Sequence, residues 1–272
     1  MFINESGTVE FHGNEWNNES VIAKLEGLCV TQLHLIDTEV DDHFFERVPL
    51  EDLEGLYVSS SIIGDLGIVV ALKRFRLTTL YIRSAKRVSD ESMRFISECS
   101  SLREISLQGT RITNKGMPFL STLHSLLALN ISDLEITDDG LSSINSRTID
   151  RLSFENTLIT GTGFSTWNLS SKVLVNANGS QLNDEGFSVM CEAFTHLWEI
   201  AISQTNVTDE GLKSLSGEHP INEFSLEHSA ITVKGIEWLV ENTEVGCLYV
   251  DASQVTDSLA EEFSKKGVEL VL

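Results

Sequence analysis

A short phrase recurs ten times along the sequence: in most copies a Thr or Ser, any residue, then Ile, Val or Leu, often followed by Thr-Asp-x-Gly. Clear copies lie within residues 110–116, 136–140 and 205–211. The branched apolar residue stands at Val40, Ile63, Val88, Ile112, Ile136, Ile159, Leu182, Val207, Ile231 and Val255, at intervals of 23 to 25 residues. So steady a period is typical of solenoids, whose units contact only their neighbours. It predicts one elongated repeat domain.

The copy at residues 197–215 shows how one repeat is predicted to fold. Ile200 and Ile202 are two residues apart, so in a strand both side chains point to the same buried face. Thr208 and Asp209 then offer side-chain oxygens as N-caps of a short helix. Gly211 is expected to let that helix approach the strand closely. Each repeat should therefore consist of a strand, a turn, a short helix and a return.

These units predict an α/β fold, a right-handed β-α superhelix with a concave parallel sheet and convex short helices. Residues 1–27 are predicted to form an N-terminal cap, in which Asn18 caps a short helix. About ten repeats then fill residues 28–272. At the far end, a helix is expected from Asp257 to Lys266, with Gly267 ending it and a closing strand over residues 268–272.

The charge balance bears on the class of partner. The chain has 19 basic and 41 acidic residues, a formal net charge of −22. This surplus repels phosphate backbones and anionic lipids, so we expect neither nucleic acid nor a membrane as the partner. It is compatible with a soluble monomer, and also with attraction of a basic segment on another protein.

The four cysteines are predicted to stay reduced. Cys29, Cys99, Cys191 and Cys247 belong to repeats that do not touch, so their Cα atoms should lie too far apart for a disulfide. We expect them to be buried small hydrophobic residues. Because the N-terminus does not resemble a signal peptide and no apolar run is long enough to span a membrane, the expected compartment is the cytoplasm.

The repeat pattern L-x-x-L-x-L-x-x-T-x-I-T-D-x-G-L-x-x-L resembles that of leucine-rich repeat proteins. More narrowly, it is similar to the 24-residue subclass found in bacterial repeat proteins and in the repeat halves of F-box proteins. The resemblance covers about residues 28–272. It implies recognition of another protein on the concave sheet. The 27 residues ahead of the repeats are too few for an F-box, and none is present.

The outward-facing strand positions are the candidate binding surface. Near the N-terminal end these positions hold five candidate residues: His34, Ile36, Tyr57, Tyr81 and Arg83. The aromatic residues and Arg among them are types enriched in binding hot spots. Near the C-terminal end they hold mostly acidic side chains: Glu199, Glu223, Glu227, Tyr249 and Asp251. Aromatic residues also suit an open strand surface, and acidic residues also keep a protein soluble. Both surfaces therefore have a purely structural alternative.

No catalytic constellation is predicted. The seven histidines are scattered along the chain, and no Gly-rich phosphate loop or Cys-x-x-Cys pair occurs. The pairs Asp41-Asp42 and Asp138-Asp139 lack the rest of an EF-hand pattern, so helix capping explains them better than a cation site. We therefore expect no enzyme activity, no cofactor and no metal.

The sequence thus predicts a protein-interaction module that binds its partner on the concave sheet. Two alternatives remain open. One is a substrate-receptor subunit of a larger complex such as a ubiquitin ligase. The other is a regulator that stimulates the catalysis of a partner enzyme.

Overall fold

The computed structural model describes residues 1–144, 147–215 and 220–272. Contacts between residues divide the chain into two units, Met1–Leu134 and Glu135–Leu272. In both units, strands of a mostly parallel sheet alternate with short helices, which is the architecture that the repeat pattern predicts. No helix within the described ranges is both long and apolar enough to cross a membrane.

The first unit contains seven strands that pair in sequence order. They are β1 Phe2–Ile3, β2 Thr8–His12, β3 Gln32–Ile36, β4 Gly55–Ser59, β5 Thr79–Arg83, β6 Glu104–Ser106 and β7 Ala128–Asn130. Only β1 is antiparallel to its neighbour, and the other pairs are parallel. The α-helices are α1 Asn18–Leu25, α2 Phe44–Arg47, α3 Asp65–Arg74 and α4 Met93–Ser97, with 3₁₀ helices at Asp90–Ser92 and Met117–Thr122.

The second unit has the same arrangement. Its strands, all parallel, are β8 Arg151–Ser153, β9 Leu169–Asn176, β10 Phe194–Ala201, β11 Ile221–Ser225, β12 Val245–Tyr249 and β13 Glu269–Val271. Its α-helices are α5 Asp138–Ile144, α6 Asp184–Ala193, α7 Asp209–Leu212, α8 Val233–Asn242 and α9 Asp257–Lys266. Two 3₁₀ helices lie at Thr162–Thr166 and Ala252–Gln254.

The alternation of side chains along each strand builds the core. In β3, Leu33 and Leu35 are fully buried, whereas the intervening His34 stays partly exposed. The Thr of the repeat phrase is buried as well. Thr157 and Thr205 each donate their hydroxyl hydrogen to the carbonyl oxygen three residues earlier, at 2.7 Å. This bond satisfies a polar group that would otherwise be costly to bury.

The Asp of the repeat phrase has a different role from the predicted one. Thr208 does cap α7, since its hydroxyl accepts the Glu210 N–H at 3.3 Å. Asp209, however, does not cap this helix. Its two carboxylate oxygens accept the backbone N–H of Thr232 at 2.8 Å and the Thr232 hydroxyl at 2.6 Å. The carboxylate thus joins one repeat to the next, because the Thr of the following turn lies directly beside it.

This Asp–Thr link recurs between successive repeats. Homologous pairs with the same two hydrogen bonds are Asp65–Ser89, Asp90–Thr113, Asp138–Thr160 and Asp184–Thr208. Helix capping, the predicted role of the 41–42 and 138–139 aspartates, therefore does not describe the contacts of Asp42 and Asp138. Asp42 accepts from the backbone N–H of Gly64, and Asp138 accepts from Thr160.

The glycine of the repeat phrase also faces the neighbouring repeat. A Cβ at Gly211 would lie 2.5 Å from a carboxylate oxygen of Asp184, which belongs to the preceding repeat. At Gly186 a Cβ would overlap the backbone carbonyl oxygen of Thr160 and lie 2.7 Å from the Cα of Gly161. Close stacking of repeats, as well as the predicted approach of helix and strand, therefore requires glycine at these positions.

The N-terminal segment has the form of a repeat. Strand β2 pairs with β3 in register, with Val9 opposite Leu33 and Phe11 opposite Leu35. The N-cap of α1 is Asn17, one residue before the predicted Asn18, because the Asn17 side chain accepts from Ser20 N at 3.0 Å. Asn18 instead links to the next repeat through a 2.6 Å hydrogen bond to Asp41.

At the C-terminal end the structure has the predicted helix and its stop at Gly267, followed by a strand shorter than the predicted residues 268–272. Helix α9 covers Asp257–Lys266, and Gly267 follows in a left-handed conformation with φ of 78°. Strand β13 then pairs in parallel with β12, where Leu248 lies opposite Leu270. Gly267 suits this stop because glycine adopts a positive φ without the penalty of a Cβ.

Candidate functional site

In the first unit, the middle residues of adjacent strands form a continuous row on the face of the sheet that the helices leave uncovered. The pairing places Glu10, His34, Tyr57 and Tyr81 side by side on β2 to β5. The rings of His34 and Tyr57 lie 3.9 Å apart between centroids, and those of Tyr57 and Tyr81 lie 4.8 Å apart in an edge-to-face arrangement. We call His34, Tyr57 and Tyr81 the aromatic row.

Charged groups fix both ends of the aromatic row. The His34 Nδ1 lies 3.0 Å from a carboxylate oxygen of Glu10, whose other oxygen lies 3.1 Å from His12. At the opposite end, the Tyr81 hydroxyl donates to Glu104 at 2.6 Å. The row is therefore pre-organised, since ring contacts and end contacts together limit the rotamers of the three side chains.

The last residues of β3 and β5 extend this surface. Ile36 and Arg83, at the ends of their strands, flank the aromatic row. The Arg83 Nε donates to the Gln108 side-chain oxygen at 2.8 Å, and the Gln108 amide donates to Asp133 at 2.8 Å. The structure thus brings together all five predicted residues of the N-terminal cluster on three adjacent strands.

Burial changes the acid–base properties of the aromatic row. Partial burial lowers the pKa of His34 from its ordinary value of 6.5, although the adjacent Glu10 carboxylate opposes this effect. For Tyr57, burial raises the pKa above 10, and the negative charge of Glu104 acts in the same direction. His34 is therefore held toward its neutral form, which suits a ring that stacks on Tyr57.

We predict that the NMR titration of His34 will have its midpoint below pH 6.5. Because the unfolded chain then binds this proton at a higher pH than the folded chain, His34 should make stability fall as the pH drops below about 6.5. In Glu10→Gln the midpoint should move still lower, because the opposing attraction of the carboxylate is lost. A midpoint that rises in this variant would contradict the assigned pairing.

In the second unit, a row of acidic residues lies on the face of the sheet that the helices of this unit leave uncovered. Glu199, Glu223, Cys247 and Glu269 lie opposite one another on β10 to β13. Among the described residues, no Lys or Arg pairs with these three carboxylates. Burial and the like charge of Glu223 both raise the pKa of Glu199. Like charges on adjacent strands repel, so this row carries an electrostatic cost.

The other three predicted residues of this unit lie outside the acidic row. Tyr249 lies on β12 in register with Ser225, and a hydrogen bond to the Cys247 side chain raises the pKa of Tyr249. Glu227 follows β11 and stays partly exposed. Asp251 is occupied by the fold, since it accepts from the backbone N–H of His228 at 2.7 Å and lies 3.1 Å from the His228 ring.

The Asp251 carboxylate stabilises an uncommon backbone conformation at His228. His228 adopts a left-handed conformation with φ of 56°, an uncommon state for a residue other than glycine. The two contacts of Asp251 hold this conformation, so its carboxylate is only in part available to a partner. The predicted acidic surface is thereby centred on Glu199 and Glu223.

Sequence reasoning missed one member of the N-terminal surface, Glu10. It lay in the segment assigned to a cap, although Val9 and Phe11 stand 24 residues before Leu33 and Leu35 and repeat their spacing. Comparing this spacing with the later repeats would have placed Glu10 next to His34. The outward-facing position of Glu104 follows from the repeat period, but its hydrogen bond to Tyr81 cannot be inferred from the period alone.

The described residues contain no group of three or more His, Cys, Asp or Glu that could hold a metal ion. All four cysteines have free thiols, at positions 29, 99, 191 and 247. Cys191 is buried, which raises the pKa of its thiol to about 12. The prediction that every cysteine is buried is wrong for the other three. Cys29 is exposed because it lies in the loop between α1 and β3, and Cys99 and Cys247 are partly exposed.

Comparison with known proteins agrees with this architecture. The model of the family described as Leucine Rich repeat matches residues 98–121, 122–144 and 195–216. No curated protein matches the sequence. A chain in the crystal structure of the Rad7 and Elc1 complex in yeast superposes with a TM-score of 0.64 at 14% identity, covering 97% of this chain and 74% of that one.

A second similar structure is an internalin, InlF, from Listeria monocytogenes. It has a TM-score of 0.58 at 14% identity and covers 97% of this chain and 86% of that one. At 14% identity, similarity to these two structures shows only that the fold is shared. The match to the family model is independent of them, because it is based on the sequence. The chain therefore has the leucine-rich repeat fold, and three of its repeats match the family model described as Leucine Rich repeat.

Proposed function

We propose that this chain is a protein-interaction module, without catalysis of its own, that binds a partner through the uncovered face of its sheet. The observation that carries the proposal is the aromatic row. Three aromatic side chains at homologous positions of adjacent strands stay partly exposed while contacting each other. Rigid aromatic side chains lose little conformational entropy on binding, which is why they are enriched at hot spots.

The sheet face of the second unit suits a different kind of segment. Glu199 and Glu223 are adjacent, and no cation among the described residues offsets them. A Lys- or Arg-bearing segment of a partner would relieve their repulsion, so we include such a segment in the proposal. Binding there should weaken as salt is raised.

Other parts of the proposal rest on general properties of the chain. The free thiols accord with a reducing compartment such as the cytoplasm. The 23-to-25-residue spacing favours the 24-residue repeat subclass. We propose a monomeric protein, because the uncovered sheet faces are then available to the partner. The yeast neighbour comes from a two-protein complex, which accords with a receptor subunit as a second candidate function.

We predict that Tyr57→Ala combined with Tyr81→Ala will weaken capture of the natural partner by about tenfold or more, the effect expected for hot-spot aromatic residues. The matched control is Tyr57→Phe, which keeps the ring stack and removes only the hydroxyl. Tyr249→Ala tests the other unit separately. Partner and affinity are measured by pull-down from lysate followed by titration, with circular dichroism to show that each variant is folded.

Site-specific crosslinking tests which face is used. A photocrosslinker placed at Thr79, on the uncovered face of β5, should trap the partner, whereas one placed at the exposed Phe119, in the 3₁₀ helix, should not. Crosslinks only from position 119, together with full capture by the double tyrosine variant, would reject the sheet face as the binding surface.

A further inference from the structure

The basic residues of this acidic protein are concentrated in one segment. Residues 73–115 contain ten of the 19 Lys and Arg residues and only four of the 41 Asp and Glu residues, a surplus of six positive charges. The rest of the chain has nine basic against 37 acidic residues, a surplus of 28 negative charges. The side chains of all ten basic residues are exposed.

Five of these ten cations already have compensating neighbours. The Arg74 guanidinium donates to the carbonyl oxygens of Phe45 and Val48, at 2.8 and 2.6 Å. Arg94 lies 3.7 Å from Glu98, and the Lys73 ammonium lies 4.9 Å from the centre of the Phe95 ring.

The other two of these five line a cavity of about 500 Å³ at the start of the strands. Arg76 and Arg103 share this cavity with Glu51, Asp52 and Glu54, so the cavity has no excess of positive charge.

The remaining five cations lie at the end of β5 and in the turns that follow β5 and β6, and we call them the basic edge: Arg83, Lys86, Arg87, Arg111 and Lys115. None of them forms an ion pair within the part of the chain that the structure describes. Only Arg83 and Arg87 have a side-chain hydrogen bond there, to the neutral Gln108 and to the carbonyl oxygen of Ile62.

The fold holds these cations close together. Arg87 and Arg111 occupy homologous positions in successive turns, and the Arg111 N–H donates to the carbonyl oxygen of Val88 at 2.9 Å. Successive repeats stack at the strand spacing of about 4.8 Å, and Arg111 forms a parallel bridge with Ser89, two residues after Arg87. The nearby aspartates, Asp65 and Asp90, are occupied by hydrogen bonds to Ser89 and Thr113. The charge of Arg87 helps to lower the pKa of Asp41, but no carboxylate among the described residues forms an ion pair with any of the five cations.

We propose that the basic edge binds an acidic segment of a protein partner, with several Asp or Glu side chains in an extended run. This inference rests on the proposed function and adds the chemistry of the partner. Arg83 belongs both to the basic edge and to the surface around the aromatic row, so one segment can contact both.

A short peptide fits this edge better than a nucleic acid does. The basic edge occupies only two repeats, and the rest of the chain has a large acidic surplus. Screening limits the reach of these charges to about 8–10 Å at physiological salt. A short acidic segment can therefore stay on the basic edge, whereas a longer phosphate chain would extend over acidic surface.

The test uses fluorescence anisotropy with a labelled peptide of about twelve residues that alternates Glu and Gly, which places every Glu on one side of an extended chain. A peptide with Gln in place of Glu and a single-stranded DNA of similar length are the comparison probes. We expect the Glu peptide to bind, more weakly as salt is raised, and the Gln peptide not to bind.

Charge-reversal variants locate the site. Arg87→Glu with Arg111→Glu should weaken binding of the Glu peptide by about tenfold. The control, Lys234→Glu with Lys265→Glu, makes the same change in net charge at exposed positions outside the basic edge and should change affinity by less than about twofold. Equal losses in the two variants, no binding of the Glu peptide, or binding of DNA alone would each overturn the proposal.

The peptide-binding test and the test of the double tyrosine variant can fail independently of each other. If the partner is lost with the double tyrosine variant but the Glu peptide never binds, the sheet face stands and the acidic-segment assignment fails. If the Glu peptide binds at the basic edge while the tyrosine variant keeps its partner, the acidic-segment assignment stands and the aromatic row is not the anchor.

Discussion

Gly186→Ala should destabilise the protein by about 3 kcal/mol or more, at the upper end of the cost of overpacking a core. Gly186 lies in the first turn of α6, and an added Cβ would overlap the backbone carbonyl oxygen of Thr160. Because the obstacle is backbone from the preceding repeat, it cannot be relieved by rotating a side chain. The two repeats would have to move apart, which would also weaken the packing around Phe187.

Urea unfolding followed by circular dichroism measures this effect. Glu185→Ala is the matched control, since it introduces the same side chain at the adjacent, exposed position of α6 and should change stability by at most about 0.5 kcal/mol. Wild-type stability in Gly186→Ala would mean that the repeats are not packed as closely there as the structure has them.

Asp138→Ala should cost about 2–3 kcal/mol, because one carboxylate satisfies several donors of the next repeat and hydrogen bonds to charged groups are stronger than neutral ones. Its oxygens accept from the N–H groups of Thr160, Gly161 and Gly163 at 2.9, 3.0 and 2.8 Å, and from the Thr160 hydroxyl at 2.7 Å. The exposed Asp139, next in sequence, provides the control, and Asp139→Ala should stay within about 0.5 kcal/mol of wild type.

The effect of Asp138 should depend on pH in a defined direction. Burial raises the pKa of its carboxyl, but the hydrogen bonds from Gly163, Thr160 and Gly161 outweigh burial and bring the pKa below the ordinary 3.8. The unfolded chain therefore takes up this proton first as the pH falls. The stabilisation is complete above about pH 4 and is lost as the pH falls through the folded value.

Comparison with Asp138→Asn isolates this contribution. The stability difference between wild type and this variant should be constant near neutral pH and should narrow below about pH 4. A difference that does not change with pH would show that the negative charge of Asp138 is unimportant for the link between repeats.

The repeat period predicted the fold well because periodicity records which side chains face the core. The burial of Leu33 and Leu35, the cap at Thr208 and the end of α9 at Gly267 all follow from local spacing. The role of Asp209 did not follow, because its partner Thr232 lies in the next repeat, 23 residues away. A capping rule considers only the helix that follows the polar side chain in the sequence. It therefore misses a hydrogen-bond partner in the adjacent repeat.

The candidate surfaces were predictable only in part, for a similar reason. The outward positions of His34, Tyr57 and Tyr81 follow from alternation along each strand, but the contacts at the ends of the row depend on rotamers that the sequence does not specify. The basic edge was not predicted, because the charge of the chain was considered only as a total. A net charge of −22 describes the whole chain and conceals a segment of opposite sign.

The Asp–Thr links have a consequence for how unfolding can spread. Val233 has no carboxylate to form such a link, although it stands where the preceding repeat has Asp209. The repeat that begins with β12 is joined to its neighbour by strand pairing, by apolar contacts and by hydrogen bonds of the Asp251 and Gln254 side chains. The carboxylate link that couples other successive repeats is missing at this junction, which favours separate opening of the end of the solenoid. The last repeat can open as a separate cooperative segment, so amide protons of β13 should exchange with solvent before those of β11.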